Sequence, residues 1–217
     1  MKNIFNIDQD KKILLLQILF VTCMILANTV GIKVTTWGPI TFSVSIWLMP
    51  IIFLITDILS EVKGKKFVGT LTWLTTITLI FSYIFIQISV IAEPAARYAE
   101  NNPAFVAVFK SSARIFMASI IAFILSQLHD AWAFQFLKEQ TKGRFLWLRN
   151  NLSTIASQLV DTVSFMFLAF YKITPQFDFL FVWELIIPYY ILKISLGVLG
   201  TPLVYLGVRW LKNKTAV

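Results

Sequence analysis

Between Val34 and Thr56 the chain carries no formal charge, and between Phe67 and Ala92 it again carries none. A helix needs about 20 apolar residues to cross roughly 30 Å of hydrocarbon, and either stretch supplies them. Apolar runs recur to the C-terminal end. The chain is 58% hydrophobic and 14% charged, whereas an ordinary soluble domain is about 25% charged. One soluble core of this size could not bury so much apolar surface. The expected fold is therefore all-α: a polytopic membrane protein forming a single transmembrane domain over 1–217. Six spans are expected at roughly 13–36, 38–60, 67–91, 113–137, 151–171 and 182–208. A signal peptide does not account for the pattern, because no small-residue cleavage site follows the first run.

The net charge of +8 raises the question of nucleic acid, and its placement answers against it. With the N-terminus in the cytoplasm, thirteen Lys and Arg fall on the cytoplasmic side. Four fall outside: Arg97, Lys110, Arg114 and Lys172. Lys33 and Lys193 lie within spans. This bias over short loops places both termini in the cytoplasm of a multi-pass inner-membrane protein. Basic loops against anionic lipid explain the charge, so the bilayer is an expected partner and nucleic acid is not. The single cysteine, Cys23, excludes an internal disulfide.

The connection "TTWGPIT" is short and rich in turn residues, which predicts a hairpin of spans one and two. Pro50 is expected to bend span two or free a carbonyl. The long loop "EPAARYAENNPAFVAVFKSS" has Pro94 and Pro103 as breakers around an Ala-rich middle suited to a short interfacial helix. The last span holds Pro188, Gly197, Gly200 and Pro202, which predict a broken or bent helix. Trp37 and Trp183 near the outer interface, with Trp132, Trp147 and Trp210 near the inner one, form an expected aromatic belt.

Six embedded charges demand partners: Lys33, Asp57, Glu61, Asp130, Asp161 and Lys193. A charge deep in a bilayer costs at least about 2.5 kcal/mol and normally faces the bundle interior. Lys33 can snorkel outward, and Glu61 can pair with the adjacent "KGKK". Two similar strings then give the charges geometry. "SQLHDAWAF" runs from Ser126 to Phe134 and "SQLVDTVSF" from Ser157 to Phe165. In each, Gln and Asp are three apart on one helix face. Both strings fall in the cytoplasmic half of neighbouring antiparallel spans, where Asp57 also arrives. The expectation is a pocket of Asp57, Asp130, Asp161, Gln127 and Gln158, walled by aromatic rings. Carboxylates and primary amides suit the edge of a planar, purine-like base.

No metal or cofactor is expected. HExxH and cysteine–histidine clusters are missing. Ser126, His129 and Asp130 do not form a relay, because His129 and Asp130 are adjacent and point apart. An enzyme is therefore not expected. No GxxxxGK[ST] loop occurs, so the chain cannot hydrolyse ATP in that way. Small residues in "GVLGTPLVYLG" suit helix packing within the chain, a homodimer or docking of energy-coupling subunits.

The blocks "FLITDILSEVKGKK", "ARIFMASIIAFILSQLHDAWAF" and "WLRNNLSTIASQLVDTVSF", in that order, resemble the queuosine precursor transporter family, from about Lys12 to Lys212. The resemblance implies a transporter importing a 7-deazaguanine, 7-cyano-7-deazaguanine or its aminomethyl relative, for salvage into a modified tRNA nucleoside. An energy-coupling-factor assembly, with this chain as its substrate-binding component, is the alternative. Carried over by motif are Asn28, Asp57, Glu61, Arg114, Ser119, Ser126, Gln127, Asp130, Arg149, Asn150, Ser157, Gln158 and Asp161. The two string aspartates and their glutamines are assigned to the base edge, and Asn28 and Lys33 to the outer part of the route. A cationic aminomethyl form would add a charge pair to a carboxylate.

Overall fold

The computed structural model describes residues 8–38, 40–142, 146–199 and 201–212; side chains at 131, 146–151, 154, 196–199 and 201 lie outside that description. Its body is helical and belongs to a multi-span membrane protein. Gln9–Val30, Val44–Lys63, Lys65–Ile91 and Asn102–Gln140 are long and apolar enough to cross a membrane, and Ile155–Phe170 is a shorter apolar helix.

Helix α1 (Gln9–Val30) starts where the Asp8 carboxylate accepts from the Lys11 backbone N–H at 2.9 Å, an N-cap bond. Ile13, Leu16, Phe20, Cys23 and Ala27 form its buried stripe at helical spacing, while Leu14, Ile18 and Leu26 face outward. In water that outer face would be a liability; in a bilayer it faces solvent of its own kind.

The all-α body carries one addition. Helix α1 stops at Val30, and Val34–Trp37 (β1) pairs antiparallel with Ile40–Ser43 (β2), Val34 opposite Ser43 and Trp37 opposite Ile40. The residues explain it: Val34, Thr35, Thr36, Trp37, Ile40, Thr41 and Phe42 are β-branched or aromatic. Gly38, at φ +60°, supplies a backbone state that other residues rarely adopt. The expected hairpin of spans is thus joined by a hairpin of strands.

A 3-10 turn (Val44–Leu48) leads into α2 (Met49–Lys63). Pro50 sits in the first turn of α2, where its missing N–H costs nothing. It marks the passage from one helix type to another rather than a mid-helix bend. Gly64, at φ +88°, turns the chain directly into α3 (Lys65–Ile91). Thr72, Thr75 and Thr76 of α3 each donate to the carbonyl four residues back, so their hydroxyls enter the apolar layer already satisfied.

Helix α4 (Asn102–Gln140) has 39 residues. Its length is about 58 Å at 1.5 Å per residue, nearly twice the hydrocarbon core of about 30 Å. The Ala-rich middle between Pro94 and Pro103 forms a short 3-10 helix of its own, Ala96–Tyr98, ahead of α4. Helices α5 (Leu146–Phe170), α6 (Phe179–Leu199) and α7 (Thr201–Lys212) complete the chain. The expected last span is two helices, with Pro188 inside the first.

Lipid is as apolar as leucine, so helices in a bilayer are joined by packing and polar contacts rather than by exclusion from water. Phe20, Ile55, Leu59 and Leu211 join α1, α2 and α7. Phe42, Met166, Phe170 and Leu185 join the hairpin to α5 and α6. Gly207 of α7 lies so near Ile58 of α2 that any β-carbon there would collide. Arg114 of α4 donates from Nε to the Leu168 carbonyl at 2.9 Å and from Nη2 to the Tyr171 carbonyl at 2.6 Å, tying α4 to the end of α5. A cation there also suits the negative end of the helix.

Candidate functional site

Between the two larger apolar clusters lies a cavity of about 260 Å³, just below the range of about 300–1,000 Å³ usual for ligand pockets. It accepts something small. Six helices contribute, most of them a stripe at three-to-four spacing. Helix α1 gives Phe20, Met24, Ala27 and Asn28; α2 gives Met49, Ile52, Phe53 and Thr56. Helix α4 gives Ser119, Phe123 and Ser126; α5 gives Gln158, Asp161, Thr162 and Phe165; α6 gives Tyr189 and Lys193. Helix α3 adds Thr72 and the 3-10 turn adds Ser45.

The polar groups divide into those already bonded and those left open. Lys193 Nζ donates to Asp161 Oδ2 and to Thr162 Oγ1, each at 2.8 Å. Each group offsets the cost of the other's charge beside a mostly apolar wall. Ser45 Oγ and the Tyr189 hydroxyl are 2.8 Å apart, and Ser43 Oγ donates to the Gly31 carbonyl at 2.5 Å. That chain of hydroxyls clamps the hairpin's base onto α6. Asn28 spends its Nδ2 on the Met24 carbonyl at 2.7 Å, which leaves Oδ1 buried with no partner among the described residues. A buried acceptor of this kind costs about 1–3 kcal/mol unless a donor arrives. The side chains of Gln158, Ser119 and Ser126 make no hydrogen bond among the described residues either. Phe20, Phe53, Phe123 and Phe165 supply the apolar walls.

The residues singled out from sequence fall into distinct places. Asn28, Gln158, Asp161, Ser119, Ser126 and Lys193 meet at the cavity. Asp57, Gln127 and Asp130 do not line it, so the structure does not gather three aspartates into one pocket. Asp130 continues the Ser119–Phe123–Ser126 stripe one turn beyond the cavity. There its Oδ1 lies 3.2 Å from Ser157 Oγ, and His129 Nδ1 lies 3.2 Å from the same oxygen. The adjacent His129 and Asp130 therefore converge on Ser157 instead of pointing apart. Ser157 also donates to the Ser153 carbonyl at 2.6 Å. Gln127, Asp57 and Glu61 are exposed on their helices, and no ion pair of Glu61 with the neighbouring lysines is present among the described residues.

Lys33 does not reach the cavity. It lies past the end of α1, exposed, with its backbone closing the hairpin: its N–H donates to Val30 and its carbonyl accepts from Val44. Arg114 serves the α4–α5 junction described above. The side chains of Arg149 and Asn150 lie outside the described residues.

Sequence reasoning passed over Tyr189, Thr162 and Ser45. Tyr189 is one turn from Lys193 and Thr162 follows Asp161, so helical spacing could have found both. Ser45 offered no such signal, because its place depends on the strand pair before it. Among the described residues no group of three or more His, Cys, Asp and Glu could hold a metal ion.

A family model described as "Putative vitamin uptake transporter" matches residues 43–207. The match takes in every cavity helix after α1. A "Probable queuosine precursor transporter" of Bacillus subtilis (strain 168) is 31% identical over 163 residues, covering 75% of this chain and 69% of the relative. The "Queuosine precursor transporter" of Escherichia coli (strain K12) is 29% identical over 147 residues, covering 66% of this chain and 58% of that protein. No solved structure matches the chain. The chain thus belongs to the vitamin-uptake family of membrane transporters that includes the queuosine precursor transporters, and it is a multi-pass inner-membrane transporter rather than an enzyme.

Proposed function

We propose that this chain imports a 7-deazaguanine, 7-cyano-7-deazaguanine or its 7-aminomethyl relative, for salvage into a modified tRNA nucleoside, and that the cavity is its binding site. The observation that carries the reading is the cavity's pairing of open hydrogen-bonding groups with four phenyl rings. A flat base offers N–H donors and carbonyl acceptors around its edge and π-faces above and below. Asn28 Oδ1 and the free Asp161 Oδ1 accept from ring N–H and exocyclic amine; the Gln158 amide donates and accepts. The phenyl rings stack on the faces. Relatives named as queuosine precursor transporters support the substrate class.

In this reading the chain has six spans with both termini in the cytoplasm, as the charge bias favours. Helices α1 to α6 are those spans, and α7 lies against α1 and α2. The His129–Asp130–Ser157 contact then closes the cytoplasmic end of the cavity between α4 and α5. Alternating access parts that contact, while the substrate stays between the helix stripes. Asp57 and Gln127 are assigned to the inner approach.

The test is uptake of labelled 7-cyano-7-deazaguanine in cells that cannot synthesise it, with intact protein beside Asn28→Ala and Gln158→Ala. Both variants should reach the membrane and lose uptake. Undiminished uptake in both would sink the cavity as the binding site. Purified protein in liposomes should move the base unaided; a requirement for separate ATPase subunits would instead make the chain the binding component of an energy-coupling assembly.

A further inference from the structure

The formal charges on the cavity wall cancel. Among the described lining residues Asp161 is the one carboxylate and Lys193 the one cation. Their nearest atoms are 2.8 Å apart. Every other lining group is an amide, hydroxyl, thioether or hydrocarbon. Lys193 is also held in place: its side chain is 9% exposed, and Thr162 Oγ1 takes a second of its N–H bonds. It cannot withdraw to water as a surface lysine does. A ligand that brings its own positive charge meets a carboxylate already partnered and a fixed like charge beside it. An uncharged ligand meets neither obstacle. It can donate to Asp161 Oδ1 and Asn28 Oδ1 and accept from the remaining Lys193 N–H.

We infer that Lys193 is a specificity-determining residue: by pairing with Asp161 it makes the cavity select an uncharged planar base over one bearing an ammonium group. The inference rests on the cavity being the base-binding site. It goes beyond that reading by choosing between its two ligands, since 7-cyano-7-deazaguanine is neutral and the aminomethyl form is an ammonium ion at neutral pH. It also reverses the expectation that a carboxylate in the pocket would favour the cation.

The experiment is equilibrium binding of both bases to purified full-length protein. The intact chain should bind the cyano form more tightly by about tenfold or more, the order expected when a like charge must be accommodated. Lys193→Met leaves Asp161 unpaired and should reverse the order. The paired change Asp161→Asn with Lys193→Met restores a neutral wall and should return the preference to the cyano form. Asp161→Asn alone leaves the lysine unopposed and should widen the preference, which keeps the test decisive if Lys193→Met is not produced. Equal affinities in the intact chain, or a ratio that none of these changes moves, would overturn the role of Lys193 alone. Failure of the intact chain to bind either base would overturn the binding-site reading as well.

Discussion

Two nine-residue strings that share five letters meet the cavity in different ways. The α5 copy turns Gln158, Asp161 and Phe165 onto the wall. The α4 copy gives only Ser126; Gln127 is exposed, and Asp130 lies one turn past the end against Ser157 of the other copy. Helix phase explains the difference. On α5 the residues at i, i+3, i+4 and i+7 from Gln158 face inward, so the Gln–Asp pair sits centrally on the stripe. On α4 the inward stripe is Ser119, Phe123, Ser126 and then Asp130, which leaves Gln127 about 100° around the helix. Identical letters in two antiparallel helices therefore build a wall in one and a closure in the other.

Asp161→Asn should produce the largest loss. It removes a base-edge acceptor and strands Lys193, whose side chain is 9% exposed while that of Asp161 is 34% exposed; uptake should fall by about two orders of magnitude and thermal stability should drop, by less than the cost of breaking a fully buried pair. The equivalent change Asp130→Asn should leave binding affinity near that of the intact protein and alter the uptake rate. Comparable losses of affinity in the two variants would erase the distinction between the copies.

Asn28→Ala should weaken base binding by about tenfold, since it deletes an acceptor worth roughly 1–3 kcal/mol. Folding should be almost unaffected, because its Oδ1 has no partner among the described residues. A titration reads the first effect and a melting curve the second; a large loss of stability would mean that Asn28 is structural. Arg114→Met should do the opposite. It frees the Leu168 and Tyr171 carbonyls and should cost about 1–3 kcal/mol of stability, while affinity per folded molecule is retained. The smallest effect belongs to Gln127→Ala, expected within about 0.5 kcal/mol in both binding and stability.

The class of the molecule was written in its charge-free runs, because a bilayer permits few alternatives to a helix. The same physics says that embedded charges seek partners, but not which would meet; of the six, Asp161 and Lys193 form the ion pair seen among the described residues. What sequence could not supply is rotation. Asp57 is next to Thr56, which lines the cavity, yet one residue's turn carries its carboxylate to an exposed face. The hairpin at Val34–Ser43 was hidden for another reason. Its residues are apolar enough to read as helix in a membrane, and only their β-branched character and Gly38 argue otherwise.

The central claim is that the Gln–Asp pair of the α5 string, not that of the α4 string, faces the bound base. In a Cys23→Ala background, Gln158→Cys and Gln127→Cys can each be labelled with a small maleimide, with and without 7-cyano-7-deazaguanine. Saturating base should slow labelling at position 158 by about tenfold or more, as expected for a largely enclosed ligand, and leave position 127 unchanged. Equal protection at both positions, or protection at 127 alone, would contradict the account.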